Sequence, residues 1–151
     1  MNGPSCPPAL RCVRDVFPTE AGITAGRSGL VESLKRLGLP ETHLFAIELC
    51  VHEALVNALV HGIWESGGQR IFLSCEADDT CVSITVEDDG EGSIPTWPPR
   101  PVPDASVVGM TAPGGRGLRL IRALMTQVTQ ERAGHGITMS LDLKEGAGHA
   151  H

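Results

Sequence analysis

The feature that most constrains this sequence is an apolar run that begins near Leu44 and contains neither glycine nor proline until Gly62. The run is too long for one strand, and a glycine at its end is a common helix stop, so it predicts a helix ending at Gly62. At about 3.6 residues per turn, Glu53, Asn57 and His61 would form a polar stripe on one face of that helix. Burying a carboxylate, an amide and an imidazole is costly unless each has a polar partner. We therefore expect water, a ligand or other polar groups to contact this stripe.

Three interpretations of this polar stripe are open from the helix alone. The stripe could simply face water. It could bind zinc, because His52-Glu53 opens the metalloprotease pattern, but that pattern needs a second histidine at position 56, which is Val. It could also belong to a magnesium–nucleotide site, with a carboxylate as base and an amide oxygen as ligand to a hard cation. Two glycine stretches downstream favour the third interpretation.

Composition narrows the class of protein. The 151 residues have the length of one domain with its own core. A formal charge of −6, with 3% aromatic residues and no Tyr, provides neither a basic surface nor stacking platforms, so we expect no direct contact with nucleic acid. Glu48, His52 and Glu53 interrupt the longest apolar run, so we expect no membrane span. The N-terminus lacks the pattern of an export signal and the 5 cysteines show no CxxC spacing, which predicts reduced thiols and a cytoplasmic location.

Periodicity and turn signals predict the remaining elements. Strands are expected near 10–17, 70–77, 80–87, 128–131 and 137–143, and helices near 19–37 and 118–125. Residues 1–9 and 146–151 are interpreted as a flexible lead-in and a disordered tail, which leaves one domain over 10–145. Residues 93–114 contain many of the 11 prolines and no periodicity, and a loop of that length inside a domain is usually functional or disordered.

Glycine stretches lie on both sides of this loop. Asp88-x-Gly90-x-Gly92 follows a predicted strand, where a fixed carboxylate can accept a hydrogen bond from an exocyclic amine such as that of adenine. The glycines would let the backbone approach a flat ligand closely. Gly115-Arg116-Gly117-Leu118 opens a predicted helix, whose free N–H groups suit phosphate oxygens. Each stretch alone is a weak signal, because a plain turn or helix start gives the same pattern.

The order of these motifs resembles that of the GHKL ATPase superfamily, and the chain resembles its small anti-sigma-factor serine kinases of the RsbW and SpoIIAB type. Residues 53–58 with His61-Gly62 are similar to the N box of that group. Residues 86–92 are similar to its first glycine box, and residues 115–121 to its second. The resemblance spans residues 10–143, nearly the whole chain.

The resemblance implies an α+β fold, a two-layer α/β sandwich of the Bergerat type with a mixed, mostly antiparallel sheet backed by helices. It implies that Glu53 is the general base, that Asn57 is the magnesium ligand and that Asp88 contacts adenine. The other residues that it implies are Gly90 and Gly92 at the base, Gly115, Gly117 and Leu118 at the phosphates, and Arg116 at the terminal phosphate. Residues 93–114 would be the ATP lid, although Ser93 stands where the group often has an apolar residue.

The same resemblance implies an ATP- and Mg²⁺-dependent protein serine/threonine kinase. Its expected partners are a STAS-type anti-anti-sigma protein, which it would phosphorylate, and a sigma factor, which it would sequester; we also expect a homodimer. Two alternatives stay open: an RsbT-like switch kinase that does not bind sigma, and a nucleotide-gated binding module with little turnover. No phosphoacceptor histidine on a dimerisation helix is apparent, which argues against a sensor histidine kinase.

Overall fold

A computed structural model describes residues 10–90, 116–130 and 136–143. The predicted lead-in, the predicted lid and the predicted tail lie outside these residues, as do Gly92 and Gly115. The boundaries of the expected domain therefore stay a prediction.

Within the described residues, five strands form one sheet, in the order β1-β2-β3-β5-β4. The strands are β1 (Leu10–Val16), β2 (Ile71–Ala77), β3 (Cys81–Asp88), β4 (Gln127–Gln130) and β5 (Gly136–Asp142). All four pairings among them are antiparallel. Strand β3 shows why they form, because Val82, Ile84 and Val86 are buried while the residues between them are not.

Helices cover one face of this sheet, which confirms the predicted two-layer sandwich. They are α1 (Glu20–Lys35), α2 (Glu41–Asn57) and α3 (Arg116–Leu124). Thr19 caps α1, because its hydroxyl oxygen accepts a hydrogen bond from the Gly22 N–H at 3.0 Å. Helix α2 packs against both α1 and α3, so the predicted organising helix is the centre of the helical layer.

The prediction that this helix ends at Gly62 is wrong. After Asn57 the chain continues as a π-helix over Ala58–Glu65, which we call the π segment. It ends only where Gly67 adopts a φ of 77°, a conformation that favours glycine. The Gly68 N–H then donates to the Gly62 carbonyl oxygen at 2.9 Å. Gly62 is therefore inside the helical stretch, and its role has to be found in packing.

A hydrophobic core lies between the helices and the sheet. Leu55 and Leu59 from the central helix, Ile84 and Met139 from the sheet and Ile121 from α3 are all inaccessible or nearly so. By length and composition alone, Glu41–Glu65 could cross a membrane, but half of its most apolar window is buried within the protein. A core helix passes the same test, so this finding is weak support for a membrane span.

The cysteines within the described ranges, Cys12, Cys50, Cys75 and Cys81, are free thiols on strands or on α2. This arrangement agrees with the prediction of reduced thiols in regular structure, while Cys6 lies outside the described residues.

Candidate functional site

Glu53 and Asn57 lie one turn apart on α2, as the sequence predicts. Glu53 is 8% exposed and is the buried charged side chain of the described core. It takes part in a polar or electrostatic interaction, which a buried carboxylate requires. Burial raises the pKa of the neighbouring Cys50 thiol to about 12, and the charge of Glu53 adds to that increase. Asn57 is half-buried and is the last residue of α2.

His61, the third residue of the predicted stripe, lies in the π segment. His61 is exposed, and its Nδ1 lies 2.7 Å from the Glu65 Oε1. The partner that the imidazole was expected to need is thus a neighbour on its own helix.

Asp88, at the end of β3, lies directly against Gly62. A Cβ atom built on Gly62 would be 2.2 Å from the Asp88 Cγ and 2.4 and 2.6 Å from its two carboxylate oxygens. The carboxylate therefore occupies the volume that a side chain at position 62 would need. Because Gly62 follows Asn57 by little more than one turn, this contact joins the first glycine motif to the helix that carries Glu53 and Asn57.

Two further glycines complete this junction. A Cβ atom on Gly90 would lie 2.2 Å from the Gly62 carbonyl oxygen, and one on Gly68 would lie 2.7 Å from that same oxygen. The Gly90 N–H also donates to the Asp88 Oδ1 at 2.9 Å, which holds the carboxylate in position. Gly90 is therefore beside Asp88, as predicted, and the close approach of three backbones explains why glycine occupies each position.

Asp89 has a different role from its neighbour. Its Oδ1 accepts hydrogen bonds from the backbone N–H groups of Gln69 at 2.7 Å and Arg70 at 2.9 Å. These bonds, that of Arg70 first, lower the pKa of the Asp89 carboxyl. Asp89 thus fixes the start of β2, whereas Asp88 faces the π segment.

The second glycine motif is only partly described. Arg116 and Gly117 occupy the first turn of α3, followed by the half-buried Leu118. Helix α3 packs on α2, with Ile121 fully buried between them and the rest of the core. The predicted helix start is therefore confirmed, and it belongs to a helix adjacent to the one that carries Glu53 and Asn57.

A charged cluster beside α2 was not identified from the sequence. The Arg27 Nη1 lies 2.9 Å from the His52 Nδ1, and the Arg27 Nε lies 3.7 Å from the Glu48 Oε2. Burial lowers the pKa of His52, and the positive charge of Arg27 lowers it further. Arg27 and His52 line a cavity of about 520 Å³ between α1 and α2. His52 is the residue directly before Glu53 in the sequence. The sequence does contain a signal for this cluster. Arg27 is a charged residue within the apolar stripe of α1, four residues after Ile23, and a charged residue at such a position needs a partner.

Comparisons with known proteins show the family to which the chain belongs. A family model described as "Histidine kinase-like ATPase domain" matches residues 18–141. The serine/threonine-protein kinase BtrW of Bordetella bronchiseptica is 33% identical over 88 residues, which are 58% of this chain and 61% of that protein. An anti-sigma F factor of Bacillus licheniformis is 37% identical over 49 residues, 32% of this chain and 34% of that protein. The chain therefore spans between about one third and three fifths of the length of these curated relatives.

The fold has a counterpart among solved structures. The crystal structure of the RsbU and RsbW domains of a Mycobacterium tuberculosis protein has a TM-score of 0.60 and 18% sequence identity, and covers 89% of this chain and 32% of that one. At that identity the likeness supports the fold. Together with the family model and the named relatives, it confirms the resemblance to RsbW-type proteins. The chain belongs to the histidine kinase-like ATPase domain family.

Proposed function

We propose that this protein is an ATP-dependent serine/threonine kinase and anti-sigma factor that phosphorylates a STAS-type partner and sequesters a sigma factor. The observation that carries the proposal is the seating of Asp88 against Gly62, directly beyond the helix with Glu53 and Asn57. This contact brings together two motifs that a nucleotide kinase of this family would use. Relatives named as a serine/threonine-protein kinase and an anti-sigma F factor support the same activity.

Glu53 is the proposed general base. Its carboxylate would take the proton from the partner's serine or threonine hydroxyl as that oxygen attacks the terminal phosphate of ATP. The low exposure of Glu53 suits this role, because a base in a sheltered site does not exchange its proton with bulk water during transfer.

Asn57 is the proposed ligand of Mg²⁺. The described residues contain no cluster of three or more His, Cys, Asp or Glu side chains that could hold a metal. A neutral amide oxygen beside a carboxylate nevertheless fits a hard cation that keeps several waters and takes its remaining ligands from phosphates. When bound, magnesium would neutralise phosphate charge. The role of Asn57 is to fix that position relative to Glu53.

Asp88 is the proposed adenine contact. Its position is fixed by the Gly90 N–H and by the close approach of Gly62, so its acceptor geometry is set before a ligand arrives. A fixed acceptor selects adenine, which presents an exocyclic amine, over guanine, which presents a carbonyl oxygen at that position. The roles of Gly92, Gly115 and Arg116, the lid, the homodimer and the cytoplasmic location are parts of the same proposal.

Substitution of Glu53 by Gln tests the chemistry. Glu53→Gln keeps the shape of the side chain but cannot take a proton, so ATP binding should be nearly unchanged while phosphotransfer falls by roughly 10²–10⁴-fold. The measurement is transfer of radiolabelled phosphate from ATP to a cognate STAS protein, beside calorimetry of ATP binding. Glu41→Gln, in the exposed first turn of the same helix, is the matched control.

Asn57→Ala separates metal binding from proton transfer. It should reduce magnesium-dependent ATP binding and phosphotransfer together, in contrast to Glu53→Gln.

Three outcomes would contradict parts of the proposal. Transfer at the wild-type rate by Glu53→Gln would show that Glu53 is not the general base. If even the wild-type protein transfers no phosphate but retains sigma in an ATP-dependent pull-down, the binding-module alternative is favoured. Transfer without any retention of sigma would favour the RsbT-like switch kinase.

A further inference from the structure

Two cysteines on neighbouring strands are placed for cross-linking. Cys12 on β1 and Cys75 on β2 are directly opposite each other in the antiparallel pairing, so their side chains lie on the same face of the sheet. Directly opposite residues of antiparallel strands have Cα atoms about 4.5 or 5.5 Å apart. Both separations fall within the range of about 4.4–6.8 Å found in disulfides. A bond between the two sulfurs therefore requires little or no movement of the backbone.

We propose that Cys12 and Cys75 are a redox modification site, which a peroxide converts into a reversible disulfide that ties the edge strand β1 to the sheet. The proposal is independent of the kinase function. It also refines the interpretation of the thiols as purely structural, since the reduced pair described here would be one of two states.

The chemistry balances with a peroxide as the oxidant. The Cys12 sulfur attacks one peroxide oxygen and the O–O bond breaks, which gives a sulfenic acid and, from hydrogen peroxide, one water. The Cys75 sulfur then attacks the Cys12 sulfur, and the hydroxyl group leaves with the Cys75 proton as a second water. The two thiols lose two electrons and two protons, and the peroxide accepts them.

The surroundings of the two thiols assign these roles. Cys12 is half-buried on a strand at the edge of the sheet, where a small oxidant can reach it. Cys75 is 2% exposed, and its burial raises the pKa of its thiol to about 12, with smaller contributions from Cys12 and Glu76. Cys75 is therefore shielded from peroxide, and the sulfur within its reach is that of Cys12 on the paired strand. Cys81 is the natural comparison, because it lies on β3 opposite Asp142.

Oxidation should also change the stability of the protein. Strand β1 is paired only with β2 among the described strands, and a bond between positions 12 and 75 would close a long loop of chain in the unfolded state. We expect the thermal midpoint of the oxidised protein to rise by more than about 5 °C and to return on reduction with dithiothreitol.

The test is treatment of the full chain with hydrogen peroxide, followed by intact mass and non-reducing peptide mapping. Trypsin releases Cys12 in a three-residue peptide after Arg11 and Arg14, but it leaves Cys75 and Cys81 together in the peptide 71–116. Mapping is therefore done on Cys81→Ser, which should still form the link. The supporting result is the 12–75 peptide pair, a mass lower by two hydrogen atoms and reversal by dithiothreitol.

The matched variants decide the identity of the pair. Cys12→Ser and Cys75→Ala should each lose the link and the rise in thermal midpoint. If Cys75→Ala fails to fold, the peptide pair from Cys81→Ser and the Cys12→Ser variant still decide the outcome. The proposal is overturned if peroxide adds only oxygen atoms to wild-type protein, or if the link found joins Cys50, Cys6 or two separate chains instead.

Discussion

At the scale of single residues, the site depends on Gly62, because the absence of a side chain at this position leaves space for its neighbours. Gly62 leaves room for the Asp88 carboxylate, and its carbonyl oxygen is approached closely by Gly68 and Gly90. In an α-helix, glycine costs about 1 kcal/mol relative to alanine. Glycine is nevertheless required here, because any Cβ atom at this position would displace the Asp88 carboxylate, which is the proposed contact to adenine.

Gly62→Ala should therefore be harmful although it improves helix propensity. We expect overpacking to lower the free energy of unfolding by about 1–3 kcal/mol. ATP affinity should fall with it, by an amount similar to the loss of about 1–3 kcal/mol expected for Asp88→Asn. Chemical denaturation and calorimetry with ATP and GTP measure the two effects.

Gly29→Ala on α1 is the control for this substitution. Its Cβ would approach only the flexible end of the Arg14 side chain, at 2.7 Å from Nη1, so the protein should be as stable as wild type or more so. Wild-type ATP affinity in Gly62→Ala would show that the carboxylate can move without consequence, which contradicts the proposed role of its seating.

At the scale of elements, the π segment sets the geometry of the site. An α-helix continued through Gly62 would turn this residue to another face, because the two helix types place successive residues at different angles. The π segment turns Gly62 toward β3 and leaves His61 exposed beside Glu65. Irregular helix of this kind is frequent at functional sites, which agrees with its position between Asn57 and the end of β3.

The cap of α1 gives a prediction at the same scale. Thr19 has extended backbone geometry and its side chain accepts the Gly22 N–H, so Thr19→Ala should lower the free energy of unfolding by about 1 kcal/mol. Urea denaturation measures the change. Thr24→Ala, in the interior of the same helix and exposed, should leave stability unchanged or raise it by a few tenths of a kcal/mol, because alanine is the better helix former. Equal effects of the two substitutions would show that the cap contributes little.

At the scale of the whole molecule, the contact of α1 with α2 couples folding to pH. The ordinary pKa of histidine, 6.5, is lowered for His52 by burial and then by Arg27, while Glu53 and Glu48 act in the opposite direction. The unfolded chain therefore takes up this proton at a higher pH than the folded protein does. In that window the unfolded state binds more protons, so stability must fall as the pH decreases below 6.5.

This dependence can be measured by urea denaturation between about pH 7.5 and about pH 5.5, above the range in which ordinary carboxylates titrate. The wild-type protein should become less stable toward the acidic end. His52→Gln can still accept a hydrogen bond from Arg27 but does not titrate, so its stability should vary less with pH. His43→Gln, near the start of α2, is the control and should keep the wild-type dependence. A dependence that is unchanged in His52→Gln would assign the effect to other groups.

Local patterns determined much of the fold from the sequence. The alternation of Val82, Ile84 and Val86 predicts a half-buried strand, and the run from Leu44 predicts the central helix, because burial repeats with the period of each element. Glu53, Asn57 and Asp88 can be identified as candidate site residues from the amino-acid sequence alone, because the sequence shows their side-chain types and the order of the motifs that contain them. The resemblance to a known family then supplied their expected roles and the architecture.

Only the tertiary structure decided how these motifs meet. From the sequence, Gly62 is interpreted as a helix stop, because glycine is a common residue at helix ends. The sequence does not show that a distant side chain occupies the space beside this glycine. The contact with Asp88 involves positions 26 residues apart (88 − 62), and the pairing of Cys12 with Cys75 involves positions 63 apart (75 − 12). Such contacts depend on strand register and helix packing, which are set by the folding of the whole chain. The sequence by itself therefore determined the elements and the candidate chemistry, and the packed fold determined which atoms come together.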